Sequence, residues 1–138
     1  MPTRQFIFEP FFTAGESMNP TLNNGDYLII NKINKSYQRG DIIVFYNSLH
    51  DGFLTKRIIG VPTEIVEIKN GKVFINEIEL KENYIFQEVF PNKIIALNDD
   101  EYFVLGDNLS KSADSRFFGA IKKDDIRGEV VYNFNEAK

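Results

Sequence analysis

The sequence holds no cysteine and one histidine among 138 residues. Without cysteine there is no disulfide framework and no thiolate zinc finger, and a single histidine excludes any two-histidine metal centre. The redox compartment stays open, because secreted proteins need not contain cysteine. Positive charge is also short: 16 Lys and Arg face 20 Asp and Glu, a formal net charge of -4. The basic footprint that neutralises phosphates is therefore missing, which argues against nucleic-acid binding. The carboxylates lack calcium-loop spacing, and no metal or cofactor is implied. No window approaches the roughly 18 apolar residues of a membrane-spanning helix, and no charged segment followed by an apolar one opens the chain. Repeats, low-complexity tracts and linkers are absent as well.

What is present is an apolar content of 43%, enough for one core. Short β-branched and aromatic runs bounded by turn residues predict strands over Asp26 to Asn31, Asp41 to Tyr46, Phe53 to Ile59, Glu64 to Lys69, Lys72 to Asn76, Glu101 to Leu105 and Glu129 to Phe134. Asn70-Gly71 between alternating segments predicts a two-residue hairpin turn, since both residues accept positive φ. Only Ser112 to Phe118 and Lys122 to Ile126 have room for helical turns. The expected fold is mostly β: an antiparallel, barrel-like core with a small β-hairpin cap and one or two short helical turns. The stretch from Ile78 to Asp100, with Pro91 and Asp99-Asp100, breaks the rhythm and reads as an appendage rather than a second domain. Near the start, Phe6, Ile7, Phe8, Phe11 and Phe12 fit an edge strand packed on the core, or a face lying on a membrane or a partner.

Three segments carry candidate chemistry. His50 lies in the polar stretch 47–52, which reads as a loop, so a Ser-His-Asp triad has no well-placed base. Ser17, in Gly15-Glu16-Ser17-Met18-Asn19-Pro20, sits between a residue that frees the backbone and one that stiffens it; an ordinary strand-to-loop transition uses the same residues. Lys56-Arg57 puts adjacent cations inside an apolar strand, so alternation sends one of them inward. A lysine drawn into an apolar site loses hydration of its charged form, its pKa falls, and the neutral amine can accept a proton from serine. The segment from Gly106 to Gly119 follows an apolar strand and is dense in hydroxyls and charges. Its Asp107 and Asp114 can pair with Arg57 and Arg116, a structural role as consistent as a catalytic one.

Together these segments resemble the boxes of bacterial type I signal peptidases, the leader peptidases of exported proteins. Residues 17–22 resemble the nucleophile box, 39–45 the strand after it, 56–62 the lysine box and 106–119 the last box, in family order over nearly the whole chain. The resemblance implies one catalytic domain over residues 1–138, with a minimal cap insertion around 64–100 and a membrane anchor absent from the N-terminal side. It implies a serine endopeptidase that removes signal peptides from secreted preproteins after an Ala-x-Ala-like site. Ser17 would be the nucleophile and Lys56 the general base, with Ser112 orienting the lysine. Arg57, Asp107, Asp114 and Arg116 would brace the site. The Ser17 backbone N–H would serve the oxyanion hole, at which Gly15 stands in place of a hydroxyl-bearing residue. Phe11, Thr13, Ala14, Met18, Leu22 and Thr55 would line the substrate pockets, although Thr13-Ala14 departs from the Ile-Pro common there. The implied partners are signal peptides and, through the apolar N-terminal segment, a membrane surface. The implied location is the bacterial cytoplasmic membrane, extracytoplasmic face. Two other readings stay open: a self-cleaving repressor-type Ser/Lys protease, which lacks a 106–119 box, and a peptide-binding β-barrel without catalysis.

Overall fold

The computed structural model describes residues 7–33 and 36–137. Phe6 of the apolar N-terminal group lies outside them. Eleven strands run in the order β1 (Phe8–Phe12), β2 (Tyr27–Asn31), β3 (Ile42–Asn47), β4 (Gly52–Gly60), β5 (Ile65–Lys69), β6 (Lys72–Ile75), β7 (Ile78–Glu79), β8 (Lys93–Ala96), β9 (Glu101–Leu105), β10 (Ile121–Lys122) and β11 (Ile126–Asn133). They form two antiparallel sheets, a seven-stranded one in the order β1-β2-β11-β3-β4-β9-β10 and a four-stranded one in the order β7-β6-β5-β8. Among the described residues no pairing joins β1 to β10, so closure into a barrel is not seen.

Alternation explains the registers. In β2, Leu28 and Ile30 are buried while their neighbours are half-exposed. The β5-β6 hairpin sets Val66 opposite Ile75 and Ile68 opposite Val73, all buried. Its turn is Asn70-Gly71, with φ of 54° and 79°, the left-handed backbone that a two-residue turn needs. The expected hairpin cap is larger than a hairpin, because β7 and β8 extend it. These two and β10 have two to four residues each, too short for a period to register. Single helical turns fall at Leu109–Lys111, at α1 (Ser115–Phe118), at Lys123–Asp125 and at Phe134–Ala137.

Two features position the site. One apolar cluster joins Ile59, Phe103 and Leu105 of the large sheet to Val66, Ile68, Val73 and Ile75 of the cap, which fixes the cap on the end of β4. Second, β4 pairs with β3 along its length, from Ile42 opposite Arg57 to Asn47 opposite Gly52, whereas β9 meets only Arg57, Ile58 and Gly60. The half of β4 before Arg57 therefore keeps one edge without a strand partner among the described residues. Among the described residues β1 pairs only with β2 and is likewise an edge.

Candidate active site

The loop that presents Ser17 is held from both sides. Thr13 N–H donates to the Asp26 carbonyl at 3.0 Å and Gly25 N–H to the Thr13 carbonyl at 2.8 Å. Gly15 has φ +91° with open space where a side chain would point, so its glycine is required by backbone conformation and not by crowding. Beyond Ser17 the chain curls: Leu22 N–H donates to the Met18 carbonyl at 2.9 Å, and Met18 and Leu22 turn inward onto Leu28. The Ser17 carbonyl accepts from Asn108 N–H at 2.8 Å, which ties this turn to the loop after β9.

Alternation along β4 puts Leu54, Lys56 and Ile58 on one face and Thr55, Arg57 and Ile59 on the other. Lys56 is 4% exposed, and its Nζ donates to Ser17 Oγ at 2.7 Å. Burial pushes its ammonium down from 10.5 to about 8, the nearby Asp114 charge opposing that fall and Arg116 assisting it. A hydroxyl and an amine at this distance can exchange a proton, and the lowered pKa supplies neutral amine near neutral pH.

Asp114, fully buried, is the hub behind the lysine. It caps α1 by accepting from Arg116 N–H at 3.2 Å, and it takes Arg116 Nε at 2.8 Å and Nη2 at 3.0 Å. Gly106 N–H at 3.1 Å and Ser112 Oγ at 2.8 Å complete its acceptor set. The remaining Arg116 donors reach the carbonyls of Phe90, Leu109 and Ser112 at 2.9, 2.8 and 3.2 Å. So dense a set of charge-assisted bonds offsets the desolvation of this buried pair. Ser112 is buried within this group, yet its hydroxyl is spent on Asp114, and no hydrogen bond joins it to Lys56 among the described residues. Gly106 has no room for a side chain: a Cβ there would run into Ser112 and come 2.7 Å from the Ser17 carbonyl.

On the other face of β4, Arg57 grips Asp107 through Nε at 2.9 Å and Nη2 at 2.6 Å. Thr21 Oγ1 donates to the same carboxylate at 2.6 Å, Arg57 Nη1 reaches the Gly40 carbonyl at 2.9 Å, and the guanidinium lies 4.4 Å from the Tyr84 ring centre. The nucleophile turn, the lysine strand and the cap thus meet at one ion pair.

A cleft of about 100 Å³ opens at Ser17 and Lys56, lined by Phe11, Phe12, Thr13, Ala14, Phe53, Leu54 and Thr55. Phe11, Thr13, Ala14 and Thr55 lie where the sequence reading put them. Met18 and Leu22 are not among the lining residues: at 3% and 4% exposed they pack on Leu28, because the turn after Ser17 curls inward. Phe12, Phe53 and Leu54 were missed, although alternation back from Lys56 would have pointed to Leu54. Gly15 N–H already donates to Asn24 Oδ1 at 2.8 Å, which leaves it no free donor for an oxyanion. The Ser17 N–H has no such partner among the described residues. His50 is exposed at the β3-β4 turn, its ring against Asn47 at 3.1 Å, and is not among the residues that line this cleft. A larger hollow of about 730 Å³ lies on the cap along residues 79–88 and touches neither Ser17 nor Lys56.

The model of the signal peptidase family, peptidase S26, matches residues 1–134. Among curated relatives, signal peptidase I P of Bacillus subtilis subsp. natto is 38% identical in an alignment that covers 95% of this chain and 78% of that protein. Signal peptidase I of Leptolyngbya laminosa is 40% identical in an alignment that covers 95% of this chain and 70% of its own. Signal peptidase IB of Staphylococcus aureus is 35% identical in an alignment that covers 94% of this chain and 79% of its own. The crystal structure of a signal peptidase I from Enterococcus faecalis V583 superposes with a TM-score of 0.63 at 30% identity, covering 70% of this chain and 98% of that one.

Proposed function

The chain belongs to the signal peptidase family, peptidase S26, a family of serine endopeptidases that remove signal peptides, and from that premise we propose that Ser17 and Lys56 are its catalytic dyad. The observation that carries this reading is the 2.7 Å contact between the buried Lys56 Nζ and the half-buried Ser17 Oγ, with the lysine pKa brought down to about 8. Neutral Lys56 takes the Ser17 proton as Oγ attacks the scissile carbonyl carbon, and the carbonyl oxygen becomes an oxyanion facing the Ser17 N–H. As the C–N bond breaks, the Lys56 ammonium returns its proton to the leaving amine. A water then attacks the Ser17 ester and Lys56 accepts its proton; as the ester C–O bond breaks, the Lys56 ammonium returns that proton to Ser17 Oγ, and the carboxyl product leaves with both residues restored. Asp114, Arg116 and Ser112 hold the wall behind Lys56. Arg57 and Asp107 brace the nucleophile turn. In this reading Ser112 orients the lysine through the Asp114 group rather than by a direct bond.

The substrate lies extended between the open edges of β1 and β4 and adds a strand there. Alternate side chains enter the cleft at Phe11, Thr13 and Thr55, whose small volume suits alanine and fits cleavage after Ala-x-Ala. The two sheets act as one catalytic domain, the four-stranded one as its cap. The family is membrane-associated; no helix among the described residues is long and apolar enough to cross a membrane. Exposed Ile7, Phe8 and Phe12, at 42%, 51% and 66%, suit contact with a bilayer surface, at the extracytoplasmic face of the cytoplasmic membrane.

Cleavage of a peptide carrying Ala-x-Ala tests the dyad. Ser17→Ala and Lys56→Met should each lower kcat/KM by at least about 10³-fold, with the circular dichroism spectrum preserved. Substantial activity in either variant rules the dyad out.

A further inference from the structure

The cleft does not end at its aromatic residues. Phe11 and Phe53 meet edge to face with ring centres 6.2 Å apart, and the Arg127 guanidinium lies 5.5 Å from the Phe53 ring centre. Arg127, on β11, grips Glu9 of β1 through Nε at 2.6 Å and Nη2 at 2.7 Å, across the intervening β2. Lys32 Nζ donates to the same Glu9 carboxylate at 3.0 Å. Hydrogen bonding from Arg127 outweighs the burial that opposes it and holds Glu9 down to about 2, with Lys32 adding to the effect. The carboxylate is therefore ionised at any working pH. One anion shared by two cations leaves an excess of positive charge, and it is reachable, since the Arg127 and Lys32 side chains are 40% and 32% exposed.

Glu9, Phe11 and Thr13 share one face of the edge strand, so the charged group continues the row that leads to Ser17. At about 3.3 Å per residue, the four residues from Thr13 back to Glu9 span about 13 Å, the reach of about four residues of an extended peptide. We propose that Arg127, Lys32 and Glu9 form a charged subsite that reads the substrate side chain about five residues before the scissile bond, accepting an acidic or neutral residue and disfavouring a basic one. This rests on the reading that the peptide lies along β1 with its scissile bond at Ser17. A rim-exposed charge contributes modestly, so the discrimination is a matter of several-fold, and salt weakens it.

The test uses three Ala-x-Ala peptides with Asp, Ser or Lys at the fifth position before the cut. Binding is measured by fluorescence anisotropy to the Ser17→Ala chain, which holds peptide without cutting it. The Asp peptide should bind about threefold to fivefold more tightly than the Lys peptide. Arg127→Ala should bring that ratio close to one, and Arg127→Lys should retain most of it. Equal affinities in the parent, or a ratio unmoved by Arg127→Ala in a variant with an unchanged unfolding midpoint, overturn the subsite. Cleavage by the unaltered chain reads the dyad separately. Turnover of the Ser peptide combined with equal affinities defeats the subsite and leaves the dyad standing, whereas a charge ratio lost in Arg127→Ala without any turnover supports the subsite and defeats the dyad.

Discussion

A lysine at 4% exposure is a cost to the fold before it is a catalyst. Its folded pKa of about 8 lies below the ordinary 10.5, so between those values the unfolded chain binds more protons than the folded one, and stability rises with pH through that window. Below pH 8 both states carry the proton and the full penalty is present, about 3 kcal/mol for this shift. Lys56→Met should therefore raise the urea unfolding free energy by about 2–3 kcal/mol at pH 7 and by much less at pH 10.5, since at high pH the parent lysine is already neutral. A gain equal at both pH values would show that the lysine is not the strained group. Asp114 acts on the same equilibrium in the other direction, because its charge favours protonated Lys56. In Asp114→Asn the midpoint of the activity profile should move to lower pH. The fold should lose about 3–5 kcal/mol, since Arg116 is left buried without its anion. A midpoint that stays or rises contradicts that coupling.

At the scale of elements, two glycines separate docking from chemistry. A Cβ at Gly60 would come 2.5 Å from Val66 Cγ2 and 3.0 Å from Leu97 Cδ1, where the cap meets β4, while one at Gly106 would enter the space of Ser112 and the Ser17 carbonyl. Each alanine substitution should destabilise by about 1–3 kcal/mol through overpacking. Only Gly106→Ala should also lower kcat, by tenfold or more, while Gly60→Ala keeps the kcat of its folded fraction. Chemical denaturation paired with initial rates distinguishes the two. Much of this arrangement was legible beforehand. Asn70-Gly71 announced its hairpin through local φ preference, and Lys56 announced itself as a cation between apolar neighbours on a strand. Strands of two to four residues such as β7 and β10 left no period to read. The inward packing of Met18 and Leu22 on Leu28 could not be read, because sequence proximity to Ser17 does not reveal which way the turn curls. The bond from Ser112 to Asp114 could not be read either, since several hydroxyls in residues 106–119 were equally eligible.

Over the whole molecule, two open edges, a cap fixed by a shared apolar cluster and two buried ion pairs converge on one cleft. Within a net charge of -4, Lys56 lines the cleft and Arg127 lies over its Phe53 ring, one desolvated for proton transfer and one left at the rim. This division explains why a chain without a usable histidine can still hold a base, since burial supplies what imidazole would otherwise provide. The pH dependence of kcat/KM for an Ala-x-Ala peptide tests the dyad most directly. The expected profile rises about tenfold per pH unit in acid, bends near pH 8 where Lys56 loses its proton, and levels above it. A profile flat across that range, or one that bends near pH 6.5 as an ordinary histidine would give, contradicts Lys56 as the base.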